Sequence, residues 1–185
     1  MPTRSYPASE IDNGIKKCLA RSQSILESAS LLLNAGKKNE AYVLYTFAVE
    51  EFGKACLLKK MKNTAQQQSL TTITKDTVTF HDHDAKIKEA ESTFKNPTSK
   101  IRVIDIAKVP EYNPNVEIEF KTVEGYATSG DFLGFDNRLD ALYVDYKNNT
   151  WVEPNMPSNF EMESGFVAFR GDLEKWKNDY EQGII

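Results

Sequence analysis

The sequence predicts a mainly α-helical protein, an antiparallel bundle of about five helices that carries a small β-hairpin. Three observations support this prediction. Apolar residues recur at helical spacing over residues 11–33, a second apolar helix follows almost at once, and the helical spacing returns over residues 162–180. At 185 residues the chain has the usual size of one domain. We therefore expect residues 1–185 to form a single helical domain.

The first two helices are expected to form an antiparallel hairpin. Ser9 is the expected N-cap of the first helix, and Asn34 and Gly36 are expected to end it because both tolerate the left-handed conformation. The second helix then spans about residues 39–62. A connection this short brings two helices side by side in opposite directions.

The next part of the chain carries one further helix after a polar segment. Residues 63–79 are rich in Thr and Gln, which favours a loop with room for a short helical piece. Residues 80–94 predict a third helix, with Asp82 and Asp84 favourable in its first turn and Pro97 beyond its end. Its inward-facing positions are expected to be Ile87, Ala90, Glu91 and Phe94.

The segment that follows is less regular. Residues 100–109 suit either a short helix or a strand, whereas residues 116–123 alternate apolar and polar residues as a strand does. We treat residues 98–128 as a candidate insertion on the bundle. Residues 129–146 predict a helix entered through Ser129. The hairpin "YVDYKNNTWVEP" is expected to turn at residues 147–149 and to stop at Pro154.

The last helix is expected to start at a capping box formed by Ser158 and Glu161 and to end at Gly183. The apolar residues of this helix recur at steps of four and three, which places them on one face. They are Met162, Phe166, Phe169, Leu173, Trp176 and Tyr180.

The composition excludes several classes of protein. The 23 Lys and Arg residues are outnumbered by 27 Asp and Glu residues, so the net charge of −4 does not point to nucleic acid. No apolar run approaches the roughly 20 residues of a membrane-spanning helix, and the N-terminus lacks the apolar core of a secretory signal. Cys18 and Cys56 both fall in helical patterns, which fits buried thiols in a reduced, cytoplasmic protein.

Charges interrupt the apolar segment "AYVLYTFAVEEFGKACLL" of the second helix. At about 100° per residue, Glu51 falls on a stripe that faces the core, while Glu50 and Lys54 have the i to i+4 spacing of a favourable ion pair. Burying an unpaired carboxylate is costly, so Glu51 requires a partner. Gly53 indicates that another part of the chain packs closely against this turn.

Two interpretations of these charges are open. In the first, Glu50 and Lys54 pair at the surface, and Glu51 satisfies polar groups inside the bundle. In the second, Glu51 and Lys54 line a cleft between helices, and the third helix supplies their partners. His83 is a candidate partner, because helical spacing places it on one face with Lys86.

The two histidines of the chain also allow a metal site to be considered. On a helix, His81 and His83 diverge by about 200°, so a metal would require them to lie in a strand, with Asp82, Asp84 or Glu50 as further ligands. No other His or Cys supports such a site. We therefore expect no metal and no other cofactor.

Four features follow one another over about residues 10–155. They are the long first helix, Glu-Glu-x-Gly-Lys at residues 50–54, "HDAK" at residues 83–86, and the hairpin "LYVDYKNNTWVEP". In this order they resemble the AbiV family of abortive-infection proteins, which is placed in the HEPN superfamily of helical domains.

The resemblance implies a HEPN-type bundle, usually a homodimer, that stops phage propagation by sacrificing the infected cell or arresting its translation. Many HEPN domains are metal-independent ribonucleases in which an Arg precedes a His by about four to six residues. This sequence departs from that pattern, because none of its arginines precedes His81 or His83 at that spacing. RNA, the translation machinery, and a phage or host protein are the candidate targets.

The residues of the second and third helices suggest a different catalytic arrangement. His83 would act as general acid or base toward a ribose 2′-hydroxyl, and Glu51 would orient it. Lys54 or Lys86 would stabilise the charge that develops on the phosphate, with Glu50 as a supporting charge. The alternative is a non-catalytic interaction protein in which the same charges only hold the bundle together. The lysines that could contact RNA are Lys54, Lys59, Lys60 and Lys62.

Overall fold

The computed structural model describes residues 3–76, 82–94, 100–103, 121–124, 145–147, 150–152, 154 and 159–185. Within these residues the chain forms four helices and three two-stranded antiparallel sheets. The helices are α1 (Ala8–Asn34), α2 (Lys38–Gln67), α3 (His83–Phe94) and α4 (Asn159–Glu181). The strands are β1 (Thr3–Pro7), β2 (Thr72–Asp76), β3 (Lys100–Val103), β4 (Lys121–Glu124), β5 (Asp145–Lys147) and β6 (Thr150–Val152). The predicted mainly α-helical bundle is confirmed.

The predicted hairpin of α1 and α2 is confirmed, and a Schellman motif ends its first helix. Gly36 adopts a φ of 75°, the left-handed region that glycine enters without strain. The amides of Gly36 and the following residue donate to the carbonyls of Leu33 and Leu32. Asn34, the other predicted terminator, is the last residue of the helix itself.

The start of α1 differs from the prediction. The helix begins at Ala8, Pro7 occupies the N-cap position, and no side chain caps the first turn, so the predicted Ser9 cap is wrong. The reason lies in tertiary structure, because β1 runs directly into the helix and Pro7 pairs with Thr72 of β2. The fixed φ of proline suits this entry into a helix.

Residues 63–79, predicted as a loop with room for a short helical piece, contain the end of α2 and a strand that was not predicted. α2 continues to Gln67, and Ala65 near its end is buried in the core. Residues 72–76 form β2, which follows α2 and pairs with β1, the strand that precedes α1. A strand whose partner is so distant along the chain gives no local hairpin signal, which is why this sheet was not predicted.

Ser69 ends α2 in a conformation that glycine would adopt at lower cost. It has a φ of 52°, and the following residue, Leu70, donates its amide to the Ala65 carbonyl at 2.9 Å, as in a Schellman motif. We expect Ser69→Gly to stabilise the fold by about 0.5–1 kcal/mol, because relief of left-handed strain exceeds the extra chain entropy of glycine. Urea denaturation measures the change.

The matched control for this variant is Ser28→Gly, which places glycine at an exposed position inside α1. There the substitution is expected to destabilise the protein by roughly 0.5 kcal/mol, since glycine is the poorer helix former. Equal destabilisation by both variants would show that Ser69 is not strained.

α3 lies where the third helix was predicted. It begins at His83 rather than residue 80, and the Asp82 carboxylate caps it by accepting a hydrogen bond from the Ala85 amide at 3.1 Å. The predicted inward positions Ile87, Ala90 and Glu91 are buried, and the side chain of Phe94 lies outside the described residues.

The direction of α3 was not predicted. Its contacts with α2 advance together along both helices: Glu50 meets His83, the backbone at Gly53 meets Lys86, and Lys60 pairs with Glu89. α3 therefore runs in the same direction as α2, whereas α1 runs opposite to it.

The hairpin predicted near residue 150 is confirmed, except that Lys147, predicted as the first residue of its turn, belongs to β5. Asp145 pairs with Val152, Tyr146 with Trp151, and Lys147 with Thr150. Residues 145–146, which were also assigned to the end of a predicted helix, belong to β5.

Other predictions fall wholly or mainly outside the described residues. Within 98–128, β3 and β4 pair antiparallel. This favours a strand over a helix at residues 100–103, and β4 overlaps the end of the predicted strand pattern of residues 116–123. Three predictions concern residues or side chains that the structure does not describe. They are the helix over residues 129–144, the end of the third helix at Pro97, and the capping box of Ser158 with the Glu161 side chain.

α4 completes the core by packing its aromatic face across α1 and α2. Tyr45 stacks on Phe166 with ring centroids 4.7 Å apart, and Phe52 meets Phe169 and Trp176 edge to face. The spacing predicted for this helix is confirmed by four buried side chains: Phe166, Phe169, Leu173 and Tyr180. Cys18 and Cys56 are buried and form no disulfide, as expected.

Candidate functional site

Glu50 is the charged group at the centre of the site. It lies on α2 among core side chains, where its neighbour Val49 is fully buried, and only 5% of its own side chain is exposed. The structure thus buries Glu50, whereas the sequence pattern favoured Glu51. The helical stripe of Glu50 faces α3. The sequence predicted this helix, but not its direction or the face of α2 against which it packs.

One oxygen of Glu50 contacts two side chains of α3. Glu50 Oε2 lies 2.6 Å from His83 Nδ1 and 3.1 Å from Lys86 Nζ. The Lys86 side chain is 10% exposed and the His83 side chain 42% exposed. The buried carboxylate therefore joins a buried ammonium to an imidazole that reaches the surface.

The charges assign the protons of this cluster. An ionised carboxylate can only accept hydrogen bonds, so both Lys86 Nζ and His83 Nδ1 donate to Glu50 Oε2. Lys86 supplies the positive charge that makes burial of Glu50 tolerable. With its proton on Nδ1, a neutral His83 ring has Nε2 as its basic nitrogen, and this arrangement suits a general acid or base.

Gly53 brings α3 close to α2 at this site. A Cβ built on Gly53 would lie 1.9 Å from the carbonyl oxygen of Lys86. The prediction that another part of the chain packs tightly against Gly53 is confirmed, and that part is the backbone of α3.

Glu51 and Lys54 lie apart from His83, on the side of α2 that faces α1. Lys54 Nζ is 3.9 Å from Glu51 Oε1, and both side chains are half-buried. Their neighbour on α1 is Cys18: burial chiefly, and also Glu51, raises the pKa of the Cys18 thiol to about 11, with Lys54 acting in the opposite direction. The expectation that Glu51 orients His83 is therefore corrected, since Glu50 holds that place.

The other predicted RNA-contacting lysines have partners within the fold. Lys60 Nζ lies 2.7 Å from Glu89 of α3, and Lys62 Nζ lies 2.7 Å from Asp12 of α1. Lys59 lies over the ring of Tyr180. The carboxylates of Glu89 and Asp12 offset the charges of Lys60 and Lys62, whereas the ring beside Lys59 leaves its charge in place.

A second polar cluster was missed by sequence reasoning. Asp12 of α1 accepts hydrogen bonds from Lys62 of α2 and from the hydroxyl of Tyr180 of α4. These hydrogen bonds, from Lys62 first and Tyr180 second, hold the pKa of Asp12 below its usual range. The cluster joins three helices through residues far apart in sequence, and no local pattern indicates such contacts.

The described residues offer no cluster of three or more His, Cys, Asp or Glu side chains able to hold a metal ion. His81, which a metal site would have required beside His83, lies outside the described residues. Among the helices that the structure describes, none combines the length and apolar character needed to cross a bilayer.

Most of this chain, including the Glu50 cluster, matches a known protein family. A model of the HEPN proteins of the AbiV family matches residues 10–163, most of the chain. This chain belongs to the AbiV family. The match contains all but the first two residues of α1, the whole of α2 and α3, and with them the Glu50 cluster, and it ends soon after α4 begins. No curated protein and no solved structure matches the chain.

Membership of the AbiV family confirms the resemblance drawn from the four motifs and the HEPN-like fold. It also connects the chain with abortive infection at the level of the family. The core of this AbiV-family protein extends beyond the matched residues, because the buried Phe169 and Leu173 of α4 follow residue 163.

Proposed function

We propose that this AbiV-family protein is an antiphage effector that acts on RNA in the infected cell, with His83 as its acid–base group. One observation carries the proposal: a buried carboxylate, Glu50, lies 2.6 Å from Nδ1 of an imidazole whose ring is partly exposed. A carboxylate in this position fixes the orientation and tautomer of a catalytic histidine. The proposal places the protein in the cytoplasm, where phage RNA and ribosomes are found.

The reaction that suits this group needs no metal. Nε2 of His83 removes the proton of a ribose 2′-hydroxyl, and the oxygen attacks the adjacent phosphorus. The bond from phosphorus to the 5′-oxygen breaks, and the leaving oxygen takes a proton from the imidazolium or from water. The products are a 2′,3′-cyclic phosphate and a 5′-hydroxyl.

The five predicted site residues receive different roles in this proposal. Glu50 is the positioning residue for His83, and Lys86 balances the charge of Glu50 from its buried position. Lys54, which is half-buried, remains a candidate for contact with phosphate. Glu51 pairs with Lys54 and has no assigned part in the chemistry.

His83→Ala is expected to reduce RNA cleavage by at least about 100-fold, because general acid–base catalysis contributes that much or more. The measurement uses purified protein, labelled single-stranded RNA and a chelating buffer, with the ends of the products analysed. RNA containing 2′-deoxyribose at the cleaved position is expected to resist. Growth arrest and loss of phage plaques upon expression should disappear with the same variant.

Two controls separate chemistry from folding. His83→Gln retains an amide that can donate to Glu50 but cannot transfer a proton, and it is expected to be as inactive as His83→Ala. Lys88→Ala changes an exposed residue of the same helix and is expected to retain full activity. Cleavage by a folded His83→Ala protein at the wild-type rate would refute the assignment.

A second function is favoured by a different observation. Glu50 and Lys86 are both buried, and their contact joins α2 to α3, as expected of a charge pair that holds a bundle together. The second proposal is an interaction protein that binds a phage or host protein without catalysis. Retention of phage resistance by folded His83→Ala, with RNA intact in both proteins, would favour this function.

We also propose that the protein works as a homodimer, in keeping with the family resemblance. Light scattering of the purified chain over a range of concentrations tests this. A monomer at micromolar concentration that retains activity would refute it.

A further inference from the structure

Gly53 occupies a position where a side chain would meet the backbone of another helix. A Cβ built there would lie 1.9 Å from the carbonyl oxygen of Lys86, 2.7 Å from its carbonyl carbon and 3.2 Å from its Cα. Backbone atoms cannot avoid such a contact by changing rotamer. Any residue other than glycine would therefore push α3 away from α2 by about 1 Å or more.

This close approach lies one helical turn from the Glu50 contact. Gly53 follows Glu50 by three residues on α2, and Lys86 follows His83 by three residues on α3. Residues at this spacing lie on the same face of a helix. The distance between the two backbones at Gly53 therefore also sets the distance between Glu50 and His83.

The hydrogen bonds of Glu50 leave little room for such a shift. Oε2 of Glu50 reaches His83 at 2.6 Å and Lys86 at 3.1 Å. An added separation of about 1 Å takes both contacts to or beyond the distance at which a hydrogen bond is effective. A glycine inside a helix weakens the helix relative to alanine, so its presence here is explained by what it permits.

We propose that Gly53 is a positioning residue for His83. The absence of a side chain lets α3 lie close enough to α2 for one Glu50 oxygen to hold His83 Nδ1 and Lys86 Nζ together. The importance of this role for catalysis rests on the proposed function, whereas the geometric role itself can be tested without RNA.

The test is the tautomer of His83 in Gly53→Ala, measured from the ¹⁵N chemical shifts of the imidazole. A His81→Gln background leaves His83 as the only histidine. In the parent protein we expect the proton on Nδ1 when the ring is neutral, because Glu50 accepts it. In Gly53→Ala we expect loss of this signature, with helical circular dichroism retained.

Gly171→Ala is the matched control, because Gly171 is also helical but has open space where a Cβ would lie. It is expected to leave the His83 spectrum unchanged. If Gly53→Ala does not fold alone, it is measured with Gly171→Ala and Ser69→Gly, both of which are expected to stabilise the protein away from α3.

Four results are informative, and the first three decide the proposal itself. Loss of the Nδ1 signature in folded Gly53→Ala alone, with Gly171→Ala unchanged, would support the proposal. An unchanged spectrum in folded Gly53→Ala would overturn it. Failure to fold even in the stabilised background would also overturn it, since glycine would then serve folding in general. An altered tautomer in a protein that never cleaves RNA would refute the proposed function and leave this inference standing.

Discussion

Replacing Lys86 with methionine is expected to destabilise the folded protein by about 3–5 kcal/mol. Methionine fills nearly the same volume but removes the ammonium that lies 3.1 Å from the buried Glu50 carboxylate. The charge of Glu50 then remains inside the bundle with only part of its compensation. The cost arises from this uncompensated charge and should appear in urea denaturation at neutral pH.

Two further variants show whether the charge is the cause. Lys88→Met makes the same change at an exposed position of α3 and is expected to alter stability by less than about 0.5 kcal/mol. Adding Glu50→Gln to Lys86→Met removes the buried charge and should recover a large part of the loss. If the double variant is no more stable than Lys86→Met alone, packing rather than charge accounts for the effect.

Phe169→Ala is expected to cost about 3–5 kcal/mol, the usual price of removing a buried aromatic ring. Phe169 is fully buried in α4, and its ring meets Tyr45 and Phe52 edge to face at 5.7 and 5.9 Å between centroids. The truncation leaves a cavity where α4 crosses α2. Thermal or urea denaturation measures the loss.

Val167→Ala provides the comparison within the same helix, because this side chain is 61% exposed. It is expected to change stability by less than about 0.5 kcal/mol. A small effect of Phe169→Ala as well would mean that α4 contributes little to the core. Since this part of α4 lies beyond the AbiV family match, the result also shows whether the fold of this protein depends on residues outside the shared region.

The helices with a continuous apolar stripe were predictable because their signal is local. In α4 the spacing of Phe166, Phe169 and Leu173 alone placed these residues in the core, where the structure has them. In the turn after α1, Asn34 and Gly36 marked the end of the helix, and Gly36 is the residue that adopts the left-handed conformation. The β1–β2 sheet was not predictable in this way, because its strands belong to distant parts of the chain and neither carries a hairpin turn.

The candidate site was predictable in composition but not in arrangement. Periodicity identified Glu50, Glu51, Lys54, His83 and Lys86 as the charged groups of interest. It could not decide which carboxylate meets His83, because both stripes of α2 are equally apolar and the choice depends on where α3 lies. Gly53 was the one local indication of that contact. It predicted that another segment packs closely against α2, but not that the segment is α3.

The sequence by itself determined the class of fold, the helical hairpin of α1 and α2, the face of α4 that enters the core, and membership of the AbiV family. These follow from spacing, turn residues and motif order, which can all be recognised along the chain without knowing which distant residues are in contact. Only the tertiary structure decided that Glu50 binds His83 and Lys86 while Glu51 stays with Lys54. The physical reason is that the partners of a buried charge come from the helix packed against it. Here that helix is α3, which can lie close to α2 because Gly53 has no side chain.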